Sequence, residues 1–173
     1  MLAKGHSEQG VVNHEMFEVV SKSLSKLSED DINAIETYIL DAKDSTEYET
    51  LKSEHITEKL TDKHGSFANN CAVCHGKNGE GSRFAPPLNT NGTLRATNPT
   101  NLISFILKGI PAANVTNKTS YIPMPSHNAL LNDQQVADLV NDLRSTWSKN
   151  TIKVTPEEVK TLRYSLIKSG DIN

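Results

Sequence analysis

The residues best placed to do chemistry are Cys71, Cys74 and His75, in the run Cys71-Ala72-Val73-Cys74-His75. Two thiols three positions apart, with an imidazole directly after them, form the pattern for covalent attachment of a c-type haem. The spacing follows from the reaction. Each thiol adds across one vinyl group of the porphyrin, so the two sulfurs must match the distance between the vinyls. His75 is then carried under the iron as its proximal ligand. Cys71 and Cys74 are the only cysteines of the chain, so no disulfide framework competes for them. The same spacing also serves surface dithiols, thioredoxin-like redox pairs and halves of zinc sites. A zinc site wants further Cys or His at paired spacing, whereas His6, His14, His55, His64 and His127 are scattered singly. A thioredoxin-like pair needs a βαβ setting, and no strand pattern is evident here.

An iron held from one side needs a sixth ligand or an open site. Met124 is the candidate, 53 positions after Cys71 in Tyr121-Ile122-Pro123-Met124-Pro125. Prolines on both sides fix the backbone, so this segment can hold a thioether against the iron. Met16, His127 and His64 are rivals, and a bis-His site would have a lower potential than His-Met. With His75 and Met124 both bound, no position remains for substrate or oxygen. Such an iron exchanges electrons and does no bond chemistry, so no catalytic residue is expected. Pro86 is expected to orient His75 through its backbone carbonyl, since ligating imidazoles are held at their other nitrogen. Leu88, Phe105, Ile106, Tyr121 and Ile122 are the expected pocket walls, and Arg95 the guessed propionate partner.

Helices must position these groups. Asn132 caps the clearest one, with Gln135 completing a capping box. Val136, Leu139, Val140, Leu143 and Trp147 follow on one face. A last helix starts at Thr155-Pro156, with Glu158 as the box partner and Val159, Leu162, Leu166 and Ile167 as its face. Asn98-Pro99 opens an earlier helix with proline at its first position, and Gly109 stops it. Near the start, Met16, Val20, Leu24 and Leu27 make a helical stripe. Ser28 then caps a helix to about Leu40, with Ile32, Ile35, Tyr38 and Ile39 on one face. The class is all-α with long loops. The expected units are a helical segment over 1–45, a linker over 46–64, a haem domain over 65–150 and a helical tail over 151–173.

Composition agrees. The chain is 36% hydrophobic, enough for a core, but only 5% aromatic; a buried porphyrin supplies large flat apolar surface. The net charge of −3 argues against nucleic acid. Residues 1–64 carry net −7 and residues 65–173 net +4. That asymmetry either steers a redox partner or reflects ordinary solvated helix faces. No apolar run approaches the roughly 20 residues of a membrane span, and the first residues have no apolar signal core. Haem attachment normally takes place outside the cytoplasm, so an exported, periplasmic location and an origin within a longer protein are expected.

Leu27-Ser28-Glu29-Asp30-Asp31-Ile32 echoes Leu131-Asn132-Asp133-Gln134-Gln135-Val136 at an offset of 104. Ile35 then matches Leu139, and Ile39 matches Leu143. A methionine precedes each copy, Met16 and Met124. Either residues 1–40 are the second half of another haem unit, or two capped amphipathic helices are alike by chance.

Cys71-Ala72-Val73-Cys74-His75-Gly76, Gly79-x-Gly81, Pro86-x-Leu88 and Met124 before a terminal helix resemble class I cytochromes c over residues 65–148. Phe84-Ala85-Pro86-Pro87-Leu88-Asn89, Asn98 to Ile103, Met124-Pro125, Gln135 to Val140, Leu143-Arg144-Ser145-x-Trp147 and the tail from Val154 to Arg163 resemble something narrower. That is the last haem domain of the multi-haem cytochrome subunit of membrane-bound alcohol, gluconate and sorbitol dehydrogenases. Residues 14–40 are similar to the end of the domain before it. The resemblance implies a class I fold around one covalent haem c. It also implies a relay from a flavin or pyrroloquinoline quinone dehydrogenase subunit toward quinone or another cytochrome. The other haem motifs, an export signal and a membrane-anchoring tail are not found in this sequence. Two alternatives remain: a haem enzyme or gas sensor with a displaceable sixth ligand, and a module that keeps the motif unused.

Overall fold

The computed structural model describes residues 2–7, 10–12, 15–41, 58–111 and 121–173. Most of the 46–64 linker, with His14, His55 and positions 112–120 of the loop before Met124, lies outside them.

Two short strands, β1 (His6–Ser7) and β2 (Gly10–Val11), pair antiparallel near the start. They add a short hairpin to the all-α expectation. α1 (Glu15–Lys22) passes through a 3-10 turn at Leu24–Lys26 into α2 (Glu29–Asp41). The haem-motif region is built from two short helices, α3 (Ser66–Asn70) and α4 (Ala72–His75). α5 (Gly92–Arg95), α6 (Thr100–Lys108), α7 (Asp133–Trp147) and α8 (Pro156–Lys168) complete the order.

α7 is the hub. Its start is fixed by the expected capping box: the Asn132 side chain accepts from the Gln135 N–H, and the Gln135 side chain accepts from the Asn132 N–H. The stripe Val136, Leu139, Val140, Leu143 and Trp147 is fully buried, and it packs on α3, α5, α6 and α8. Each such apolar side chain contributes about 1.5–3 kcal/mol when removed from water. Arg144, on the same helix, is also buried. Its guanidinium donates to the carbonyls of Ala96 and Thr97 at 2.8 and 3.1 Å, which ties the loop before α6 to α7.

α8 carries the second expected capping box, Thr155 with Glu158, and proline in its first turn. Val159 and Leu166 enter the cluster formed by α6 and α7, and Leu162 packs against its edge. The segment read as a tail over 151–173 therefore shares this core. Ile167 does not; it is exposed, because the face that meets α7 is narrower than the sequence stripe. α6 starts one residue later than expected: Pro99 is the cap, and the Asn98 side chain accepts from the Thr100 N–H at 2.9 Å.

The two echoing helices differ in burial. Ser28 caps α2 at the Asp31 N–H, as Asn132 caps α7 at the Gln135 N–H. Yet only Ile32 of the α2 face is buried, while Tyr38 is 77% exposed and Ile39 is also open. The expected stripe on α1 behaves alike: Val20 is buried, and Met16 and Leu27 are exposed.

Candidate functional site

The motif folds as one helical turn. The Cys71 N–H bonds to Phe67 O, and the N–H groups of Cys74 and His75 both bond to Cys71 O at 3.1 and 2.9 Å. A turn this tight brings residues three and four apart onto one side. Cys71, Cys74 and His75 all line one cavity, while the intervening Val73 is 85% exposed. Both thiols are free. Burial, with smaller contributions from Asp62 and Cys74, pushes the Cys71 thiol up to about 12. A reactive redox pair needs a depressed thiol, so this environment is the opposite of a thioredoxin-like one. Among the described residues, no cluster of three or more His, Cys, Asp or Glu is arranged to hold a metal ion.

After the motif the chain turns back on itself. The Gly81 N–H bonds to His75 O at 2.7 Å, and the Ser82 hydroxyl donates to Cys74 O at 2.6 Å. A Cβ at Gly81 would stand 2.6 Å from Pro87 N, so only glycine lets the strands of this turn approach. The turn delivers Pro86 O to within 2.9 Å of His75 Nδ1. A carbonyl can only accept, so Nδ1 carries the proton and Nε2 keeps its lone pair. Burial holds the His75 ring below the usual imidazole range; the Pro86 bond opposes this, and nearby His127 adds to it. The ring is thus kept neutral, the form that binds metal.

Met124 comes from the far side of the chain. Its N–H and carbonyl pair with those of Ile110 at 3.0 and 2.9 Å, an isolated bridge. The Ile122 N–H bonds to Phe84 O at 2.9 Å, which links this segment to the one bearing Pro86. Met124 lines the same cavity as the two thiols and His75.

The cavity, its open mouth and adjoining solvent included, takes in about 1310 Å³. Its walls are mostly apolar. Leu88, Phe105, Ile106, Tyr121 and Ile122 are among them, as is Pro86. Arg95 is not; one of its guanidinium nitrogens donates to Thr90 O. Among the rival ligands, His127 lines the cavity and is buried. His64 and Met16 do not line it, and His64 sits 3.7 Å from the Asp138 carboxylate at the surface. The sequence reading missed Leu139 and Leu143, which it assigned to the core alone; they face both. It also missed Gly5, just before β1, and His6 and Val11 of β1 and β2, which reach the cavity with no pattern to announce them. Two thiols and a neutral imidazole in one apolar cavity are what a covalent haem needs for attachment and proximal ligation, and Met124 also lines that cavity, so the residues present fit the group.

Residues 64–147 match the cytochrome c family. The chain is 32% identical over 178 residues to the gluconate 2-dehydrogenase cytochrome c subunit of Pantoea cypripedii, covering 94% of this chain and 39% of that protein. It is 29% identical over 172 residues to the alcohol dehydrogenase (quinone) cytochrome c subunit of Gluconobacter oxydans, covering 94% and 36%. With the fructose dehydrogenase cytochrome subunit of Gluconobacter japonicus it shares 28% over 174 residues, covering 86% and 36%. The chain thus spans less than two fifths of the length of these relatives.

Proposed function

We propose, given that residues 64–147 of this chain are a cytochrome c domain, that it is a one-haem electron relay with His75 and Met124 as axial ligands. When bound, a haem supplies a one-electron ferrous–ferric couple. The protein supplies everything else. Cys71 and Cys74 provide the two thioether bonds. Pro86 O orients His75 so that Nε2 is the ligating atom. The Ile110 bridge holds Met124, and the apolar walls exclude water, which with a thioether ligand favours a raised potential. The observation that carries this reading is the 2.9 Å bond between His75 Nδ1 and Pro86 O, in a cavity that Met124 also lines.

The relatives are named as cytochrome subunits of dehydrogenases. In that setting the chain takes electrons from a dehydrogenase subunit and passes them toward quinone or another cytochrome, on the periplasmic side, and does no catalysis itself. No helix among the described residues is long and apolar enough to cross a membrane. Residues 65–150 would form the haem domain, with 46–64 as the linker and 151–173 as an added helical segment. Residues 1–45 would be the closing half of a further haem unit. The matching caps of α2 and α7 support this, and so does the uncovered apolar face of α2.

The test uses protein made with export and haem-attachment machinery. Intact mass should rise by one haem, with a pyridine haemochrome spectrum of the c type. The ferric protein should show the weak red-edge absorption band of methionine–iron ligation. Met124→Ala should lose that band, lower the potential and let the ferrous protein bind carbon monoxide. Ready carbon monoxide binding by the unaltered protein would instead favour a gas sensor or haem enzyme.

A further inference from the structure

We propose that Gly109 is the positioning residue for Met124, because it lets the Met124–Pro125 backbone cross the end of α6 where any side chain would stand. This rests on the axial-ligand reading above. Gly109 ends α6 with φ +72°. Its ψ of −167° separates it from the left-handed helix-end glycines that asparagine can replace. Crowding separates it further. A Cβ on Gly109 would fall on the carbonyl oxygen of Met124 and within 2.7 Å of both Pro125 C and Ser126 N. All three are backbone atoms, so no rotamer change makes room.

Nor can the crossing segment slide away. On one side of the contact, Ile110 and Met124 exchange both backbone bonds. On the other, the Ser126 hydroxyl donates to Leu107 O at 2.5 Å, and the His127 N–H bonds to Ile106 O at 3.0 Å. Each tether ends on α6 or the residue just after Gly109. A push from Gly109 is therefore delivered to Met124, whose thioether must keep its place in the cavity.

Gly170 provides the comparison. It has φ +78° but nothing within 4 Å of its Cβ position. Substitution there meets a positive φ without the collision. The experiment compares Gly109→Ala, Gly170→Ala and Met124→Ala, each matured with its haem. It reads the red-edge band, the reduction potential and carbon monoxide binding. Gly109→Ala is expected to lose most of the band, fall in potential and bind carbon monoxide, while Gly170→Ala keeps the parent's values. Parent-like band and potential in Gly109→Ala overturn the proposal. If Met124→Ala itself changes nothing, the ligand assignment has failed instead. Should Gly109→Ala not mature, Ser126→Ala decides. Losing one tether should let imidazole bind the ferric protein about fivefold more tightly, the worth of one hydrogen bond; unchanged affinity overturns the proposal.

Discussion

Phe67 meets the indole of Trp147 edge to face, with ring centroids 5.5 Å apart and planes at 75°. Both rings are buried, and the indole N–H donates to Glu58 O at 3.0 Å. One side chain thus docks α3, which leads into the haem motif, and the segment before it onto the end of α7. Trp147→Ala is expected to destabilise the protein by about 3–5 kcal/mol, the usual result of emptying a large buried site. A double-mutant cycle with Phe67→Leu and Trp147→Leu should give a coupling of about 0.5–1.5 kcal/mol. Denaturant unfolding of the haem-loaded protein measures both, and a coupling near zero would show that the ring geometry is incidental.

The Pro86 carbonyl should tune the iron as well as orient its ligand. A hydrogen bond to the far nitrogen of a ligating imidazole makes the ring more basic. Pro86→Ala keeps the carbonyl but frees the backbone that aims it. The bond should weaken, and the potential should rise by about 20–40 mV, the equivalent of part or all of one hydrogen bond. Spectroelectrochemical titration reads this shift. A potential that stays put would leave the carbonyl with no tuning role.

Glu158 should give α8 a sensitivity to acid. Bonds from the Thr155 N–H and hydroxyl hold its carboxyl below the usual range. Its folded value lies below its unfolded one, so the stabilisation is present above the unfolded value of about 4.3 and is lost as pH falls through the folded value. Glu158→Gln keeps an acceptor that cannot titrate. Its stability should therefore fall less than the parent's between pH 5 and pH 3, by roughly the share one depressed carboxyl contributes. Parallel unfolding profiles at the two pH values would count against the assignment.

The turn at the haem motif and the face of α7 were legible in the sequence because they are local. The spacing of Cys71, Cys74 and His75 is set by one helical turn, and the stripe of α7 by helical period and a capping box; both are properties of neighbouring residues. The same holds for the rigid Pro86 and Met124 segments. The fold decided what depends on residues far apart. It showed that Leu139 and Leu143 serve core and cavity together, and that Arg95 turns to Thr90. It also showed that α8 shares the central core, and that the Met124–Pro125 backbone runs across Gly109. Period and propensity describe which face of a helix is apolar. Only packing determines what that face meets, because close contact between backbones depends on the whole path of the chain and leaves no pattern along it.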